Sequence, residues 1–407
     1  MIKQPKASDR RRPLMMVSGA LIIFFTGFPH VWSIYQPYVM EKAGWSQGQA
    51  SMCFYLALAA FVFGNIIGGR MQDNGNPKKV VWIGGGIFSA GVLLSAFFIL
   101  PSPMLFYITY GVLQGFGQGM VYTTIIATAQ KWFADRPGFA SGIIVTANGL
   151  CGFFMASVSR FLLSKGGPQA ALFLIGMVIA AAWVLSAAFY ALPEGISGDD
   201  SGNAGEEAKQ KQYTSSEMIH TKKFYYLLLT MLFGLLPYFL VSPVSQSHQI
   251  SLGIPESVAV CAVMFGSVMN AGTRLVLPSL ADKIGRISCI KVVLIVAVAV
   301  MAVLGIFHSY AVTVAIVLIY GCYGGIMGSF PSVTSSIFGI RHTGENYGYV
   351  MLGIVIATLT APGITGLFLA NGHGMHIVFG TGVLFAAAAL GCLLLLEREI
   401  KSENMKM

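Results

Sequence analysis

Charge is scarce in this sequence: Asp, Glu, Lys and Arg make up 10% of its 407 residues, against 55% for apolar types. A soluble domain carries roughly a quarter of its residues as charge, so a water-soluble enzyme with a polar shell is excluded. Carboxylates are absent from the middle of the apolar runs. All sixteen Asp and Glu fall in tails, loops or span ends, which argues against a carrier of cations or cationic drugs. The six cysteines (Cys53, Cys151, Cys261, Cys289, Cys322 and Cys392) show no metal-ligand spacing, so neither a disulfide framework nor a zinc site is expected. There is no nucleotide-binding loop and no convincing Ser/His/Asp set; no enzyme activity and no cofactor are expected. The net charge of +9 does not mark a nucleic-acid surface, because the basic residues sit in short gaps between apolar stretches, where they act as topology signals.

What the chain does have is apolar length. A spanning helix needs about 20 apolar residues, and such runs recur at 13–40, 47–72, 79–100, 103–131, 137–164 and 169–192, then at 224–252, 256–281, 287–308, 310–337, 345–370 and 374–396. Arg10, Arg11 and Arg12 precede the first run in the manner of a signal peptide. That run continues past about 20 residues without a small-residue cleavage site and reads as a retained helix. The expected fold is an all-α membrane protein of twelve transmembrane helices in two six-helix halves, residues 1–192 and 224–407, joined by a polar cytoplasmic linker at 193–223. If the N-terminus is cytoplasmic, that face holds 21 Lys and Arg and the other only Lys42, Arg160 and Lys165. This asymmetry puts both termini in the cytoplasm of a multi-pass cell-membrane protein, expected in a bacterial inner membrane.

The halves repeat at a fixed offset. Asp73 corresponds to Asp282 at 209 residues, while Tyr110-Gly111 to Tyr320-Gly321 and Gly138 to Gly348 are both 210 apart. The loop Asp282-Lys283-Ile284-Gly285-Arg286 resembles the Asp-Arg/Lys-x-Gly-Arg cytoplasmic motif of the major facilitator superfamily. The first copy keeps Gly69 and Asp73 but carries Asn74 at the next position. An acid there can pair with loop cations and latch neighbouring helices, so Asp73, Asp282 and Arg286 form an expected conformational motif. The stretch from Lys131-Trp132-Phe133 to Gly138-Phe139-Ala140-Ser141-Gly142, together with Trp32-Ser33-Ile34-Tyr35, Asn270-Ala271-Gly272-Thr273-Arg274 and Asn346-Tyr347-Gly348, is similar to the oxalate/formate antiporter family, itself related to the monocarboxylate porters. The resemblance implies a monomeric major facilitator fold moving small carboxylates through a site between its halves.

Arg274 carries the functional reading. It lies eight residues before Asp282, about 12 Å of helix from the cytoplasmic end. A charge at such depth is costly and usually faces a polar cavity. With no acid mid-span, a mobile anion is its expected complement, and a planar guanidinium fork suits a carboxylate. Asn270, at i−4, shares its face. Gln114, Gln118 and Tyr122 recur at i, i+4, i+8 as a polar stripe of span four that must face protein or water. The resemblance adds Tyr122 as a substrate-facing position, Tyr323 where the oxalate type has a cavity Trp, His30 where it has a cavity Tyr, and Trp32 and Tyr35 nearby. His30 and His248 are the candidate proton carriers.

The oxalate type supplies a Lys in span eleven so that two cations hold a dianion; by the same count that position is Ile354 here. One fixed positive charge balances one carboxylate, and a second would be expensive to desolvate. The expected cargo is therefore a small monocarboxylate such as lactate, pyruvate, formate or a short-chain acid, moved by alternating access, with oxalate/formate-type exchange as the alternative. A carboxylate-sensing transceptor and a broad-specificity exporter also remain open. So does the choice between antiport and proton symport, because span one lacks the Lys, and span eight the Asp, that the proton-coupled porters use by resemblance.

Overall fold

The computed structural model describes residues 11–404 apart from 46, 74, 134–135, 191–210 and 373. All twelve predicted stretches are helical within those residues, and ten helices are long and apolar enough to cross a membrane. The other two, spans one and four, are helical but interrupted.

Local chemistry explains the boundaries. Pro29 has no N–H to give, so span one breaks into Arg11–Thr26, a 3-10 turn Phe28–Val31 and Trp32–Ala43, and Gly44 ends it at φ 68°. Span four runs as Pro103–Phe106, a π-helical stretch Tyr107–Gln114 and Gly115–Trp132. Span three starts at Pro77, where Asn76 caps the helix by accepting from the Lys78 amide at 2.8 Å. Spans five and six join at Gly167, whose φ of 73° and ψ of −177° suit glycine alone, directly before Pro168.

The chain divides into two compact units: residues 1–215 with 334–349, and 216–333 with 350–407. The linker end and the segment 334–349 meet within the first unit. Asn346 donates to the Tyr213 carbonyl at 3.0 Å and accepts from Ser215 at 2.8 Å, while the Tyr213 amide donates to Phe338 O at 2.9 Å. This explains why that segment leaves the sequence half in which the repeat places it.

Within the first unit, spans two and four pack closest, because glycine removes the Cβ that would hold them apart. A methyl group at Gly115 would strike the Ala57 carbonyl, and one at Gly119 the Phe61 carbonyl. Since backbone cannot yield as a side chain does, Gly119→Val is expected to cost more than roughly 3 kcal/mol, the upper range for overpacking. The check is the size-exclusion profile and melting temperature of the detergent-extracted protein; a wild-type profile would contradict it. In the second unit, span seven packs on spans eleven and twelve, and Gly353 lies against the Leu228 carbonyl region. Helices of this unit are also tied by ion pairs, Lys223 to Glu403 at 2.6 Å and Lys291 to Glu397 at 2.7 Å. Large apolar side chains such as Phe63, Phe97, Phe153, Phe265 and Leu384 point outward, as a lipid-facing surface requires.

Candidate functional site

Span eight is the helix Glu256–Ile284, and it carries Arg274 with only 3% of the residue exposed. Two features of the sequence hold it there. Asn270, one turn earlier, accepts from Arg274 Nε at 2.9 Å and so fixes the plane of the guanidinium. Span ten, Ala311–Phe338, closes on this surface through two glycines: a methyl group at Gly324 would meet the Asn270 carbonyl, and one at Gly328 the Arg274 backbone at 2.8–2.9 Å. Thr273 adds a hydrogen bond to the Gly321 carbonyl at 2.8 Å. That close crossing brings Tyr323 to the cation, with the guanidinium carbon 5.4 Å from the ring centroid, within cation–π range. Ile354 and Met327 are buried apolar residues of the same unit.

Behind Tyr323 stands a group that sequence reasoning missed. Tyr238 of span seven stacks on Tyr323 with centroids 4.0 Å apart and planes at 19°, and meets Tyr320 edge-on at 5.0 Å. Phe239 adds an edge contact to Tyr323 at 5.9 Å, and Ser242 and Tyr320 share a hydroxyl hydrogen bond at 3.3 Å. Arg274, Asn270 and Tyr323 are thus brought together. His248 stands on the short helix Ser245–Ser251, with its ring edge-on to Phe379 at 4.9 Å.

The first unit places its expected residues differently. Trp32 and Tyr35 belong to an aromatic core: Trp32 lies 5.3 Å from Phe106 and 5.0 Å from Tyr110, and its indole donates to the Ala50 carbonyl at 2.8 Å. Tyr35, with no exposed surface, donates to Ser159 at 3.3 Å. Gln118 turns its amide nitrogen onto the Thr26 carbonyl, at the point where Pro29 interrupts span one, and accepts from Gln114 at 3.2 Å. Asn148 completes this knot by donating to the Thr26 hydroxyl at 3.0 Å. Tyr122 is 2% exposed and packs edge-on against Phe61 at 5.3 Å. His30 falls in the Phe28–Val31 turn, and its side chain lies outside the described residues.

The two copies of the Asp-containing loop motif also differ. Asp282 pairs with Arg286, four residues further on, at 3.3 Å. Asp73 reaches across helices instead. Its fully buried carboxylate accepts from the Glu345 amide at 2.9 Å and from Gln72 at 2.8 Å, with Lys131 Nζ 3.7 Å away. It therefore caps the helix Thr343–Val350, where negative charge meets the positive helix end. Gly69 and Gly344 touch backbone to backbone, which allows this approach. Lys131, on span four, supplies a cation that Asn74 does not.

The family model described as Major Facilitator Superfamily matches residues 15–345, about four-fifths of the chain. The chain belongs to the Major Facilitator Superfamily. It is a multi-pass membrane protein of a transporter family rather than of an enzyme family. Among relatives, the chain is 25% identical over 371 residues to the "Oxalate:formate antiporter" of Oxalobacter formigenes, covering 90% of this chain and 86% of that one. It is 27% identical over 234 residues to "Monocarboxylate transporter 11" of Homo sapiens, covering 56% and 47%. Among solved structures, a bacterial homologue of the iron transporter ferroportin in an outward-facing state superposes with a TM-score of 0.71 at 14% identity, covering 96% of this chain and 100% of that one. That likeness concerns the fold alone.

Proposed function

We propose that this transporter is a secondary carrier of small monocarboxylates, moving them by alternating access with both termini in the cytoplasm. The observation that carries the reading is Arg274, a deeply placed guanidinium oriented by Asn270 and set against the ring of Tyr323. A carboxylate bound there would meet a guanidinium whose plane is already set by Asn270, so little ordering is left for the ligand to impose. The aromatic face shields that ion pair from water and strengthens it. Drawing the halves around a neutralised cation would let the loaded carrier reorient more readily than the empty one.

A single fixed cation favours a monoanion. Ile354 brings no charge to span eleven, and the second carboxylate of a dicarboxylate would lose its hydration without compensation. Oxalate/formate-type exchange is the second reading, favoured by the similarity to an oxalate:formate antiporter along nearly the whole chain. Counterflow into proteoliposomes preloaded with each acid separates the two. Exchange of lactate, pyruvate or formate well above that of oxalate is expected; strong oxalate exchange with none of the monocarboxylates would reverse the assignment. Stabilisation by an acid without any flux would instead indicate a sensor.

A further inference from the structure

We infer that Tyr238 sets the upper size of the acid accepted at Arg274, an inference that rests on the carboxylate reading above. Tyr238 follows Pro237 in the helix Lys222–Val241, close to the point where regular helix gives way to the 3-10 turn Ser242–Val244. The proline cannot donate to the preceding turn, and the chain there is free to present two adjacent aromatic rings, Tyr238 and Phe239, to span ten. Both rings meet Tyr323: Tyr238 face to face at 4.0 Å, Phe239 edge-on at 5.9 Å. Tyr320, one turn before Tyr323, is fixed by its hydrogen bond with Ser242.

The consequence is a layered wall. The guanidinium lies against Tyr323, and Tyr323 is backed by Tyr238, so Tyr323 has little room to tilt away. An acid whose carboxylate engages Arg274 must direct its tail along this wall. A short tail fits with the rings in place; a longer one requires Tyr323 to swing, and Tyr238 blocks that swing. Tyr238 acts through Tyr323 and is a positioning residue. Its ring, rather than its hydroxyl, does this, because the stack is a contact of faces.

The test uses full-length protein in proteoliposomes and a ladder of straight-chain acids from formate to hexanoate, each assayed for initial uptake and for thermal stabilisation of the detergent-purified carrier. Tyr238→Ala is expected to raise the KM for the best short acid about 3- to 10-fold, the scale of one aromatic pair, with little change in Vmax. It is also expected to shift the preferred tail length upward by at least one carbon. Tyr238→Phe should retain the wild-type order of preference. Tyr238→Leu, which keeps apolar bulk but not a ring face, should shift the order in the same direction as alanine and serves where alanine does not fold. An unchanged order in Tyr238→Ala or Tyr238→Leu overturns the inference, as does a Tyr238→Phe variant that behaves like alanine. If wild-type carrier neither moves nor is stabilised by any acid of the ladder, the carboxylate reading fails and this inference with it. If the wild type responds to the acids and the tyrosine variants keep its order, the inference alone fails.

Discussion

Arg274→Ala is expected to abolish uptake while leaving a folded, membrane-inserted protein. Removing one partner of a buried, hydrogen-bonded charge pair costs about 2–5 kcal/mol, which corresponds to roughly 30-fold to several-thousand-fold in affinity. The fold should tolerate the change, because the crossing of spans eight and ten is made by Gly324 and Gly328 against the backbone at Asn270 and Arg274, not by the side chain. Arg274→Lys should also be impaired, since a lysine is a point charge without Nε and can reproduce neither the hydrogen bond to Asn270 nor a two-pronged grip on a carboxylate. The measurements are initial rates of labelled-acid uptake, with size-exclusion profiles as the control for folding. Uptake near the wild-type rate in Arg274→Ala would remove the basis for the carboxylate assignment and favour a broad-specificity exporter.

Replacement of Asp73 is the second change expected to have a large effect. Its carboxylate has no exposed surface and serves the Glu345 amide, Gln72 and Lys131, among others. Breaking a buried ion pair by removing one member costs about 3–5 kcal/mol, because the remaining charge is left uncompensated. Asp73→Ala also strips the cap from Thr343–Val350 and should reduce both melting temperature and transport strongly. Asp73→Asn keeps an acceptor for the Glu345 amide but loses the charge, so it should fall between alanine and wild type. The nearby Arg70–Glu345 pair, at 3.9 Å with Arg70 largely exposed, should matter little when broken. Melting curves and uptake rates for the three variants check the order; an alanine variant as stable as wild type would show that the contacts of Asp73 carry no load.

Arg274 was legible without a structure because one charge inside an apolar run stands out against its background, and Asn270 followed from helical spacing. Ile354 was reached through the resemblance, by counting from Asn346 to the position where the oxalate type has a Lys. Tyr323 came from resemblance, and its place beside the guanidinium follows from Gly324 and Gly328 on its own helix, which let span ten close on span eight. Trp32, Tyr35 and Gln118 were reached by the same kinds of argument, yet they sit among aromatic neighbours or on the Thr26 carbonyl. Periodicity states which residues share a face. It does not state which helix that face meets. The break at Pro29 frees a backbone acceptor, and Gln118 is the donor that happens to reach it.

Lys131, Glu345 and Tyr238 were beyond sequence reasoning for one reason. Each matters through a partner far along the chain: Asp73 for the first two, Tyr323 for the third. Nothing local marks a lysine at a helix end or a tyrosine in an aromatic-rich helix. Apolar run length, loop charge and the duplicated motif depend on neighbouring residues alone, and from them the helical membrane architecture and the deep cation could be read directly. Which side chain braces that cation, and which base answers Asp73, depend on how helices distant in sequence pack, and packing is decided by backbone approach at glycines and by the matching of surfaces in three dimensions.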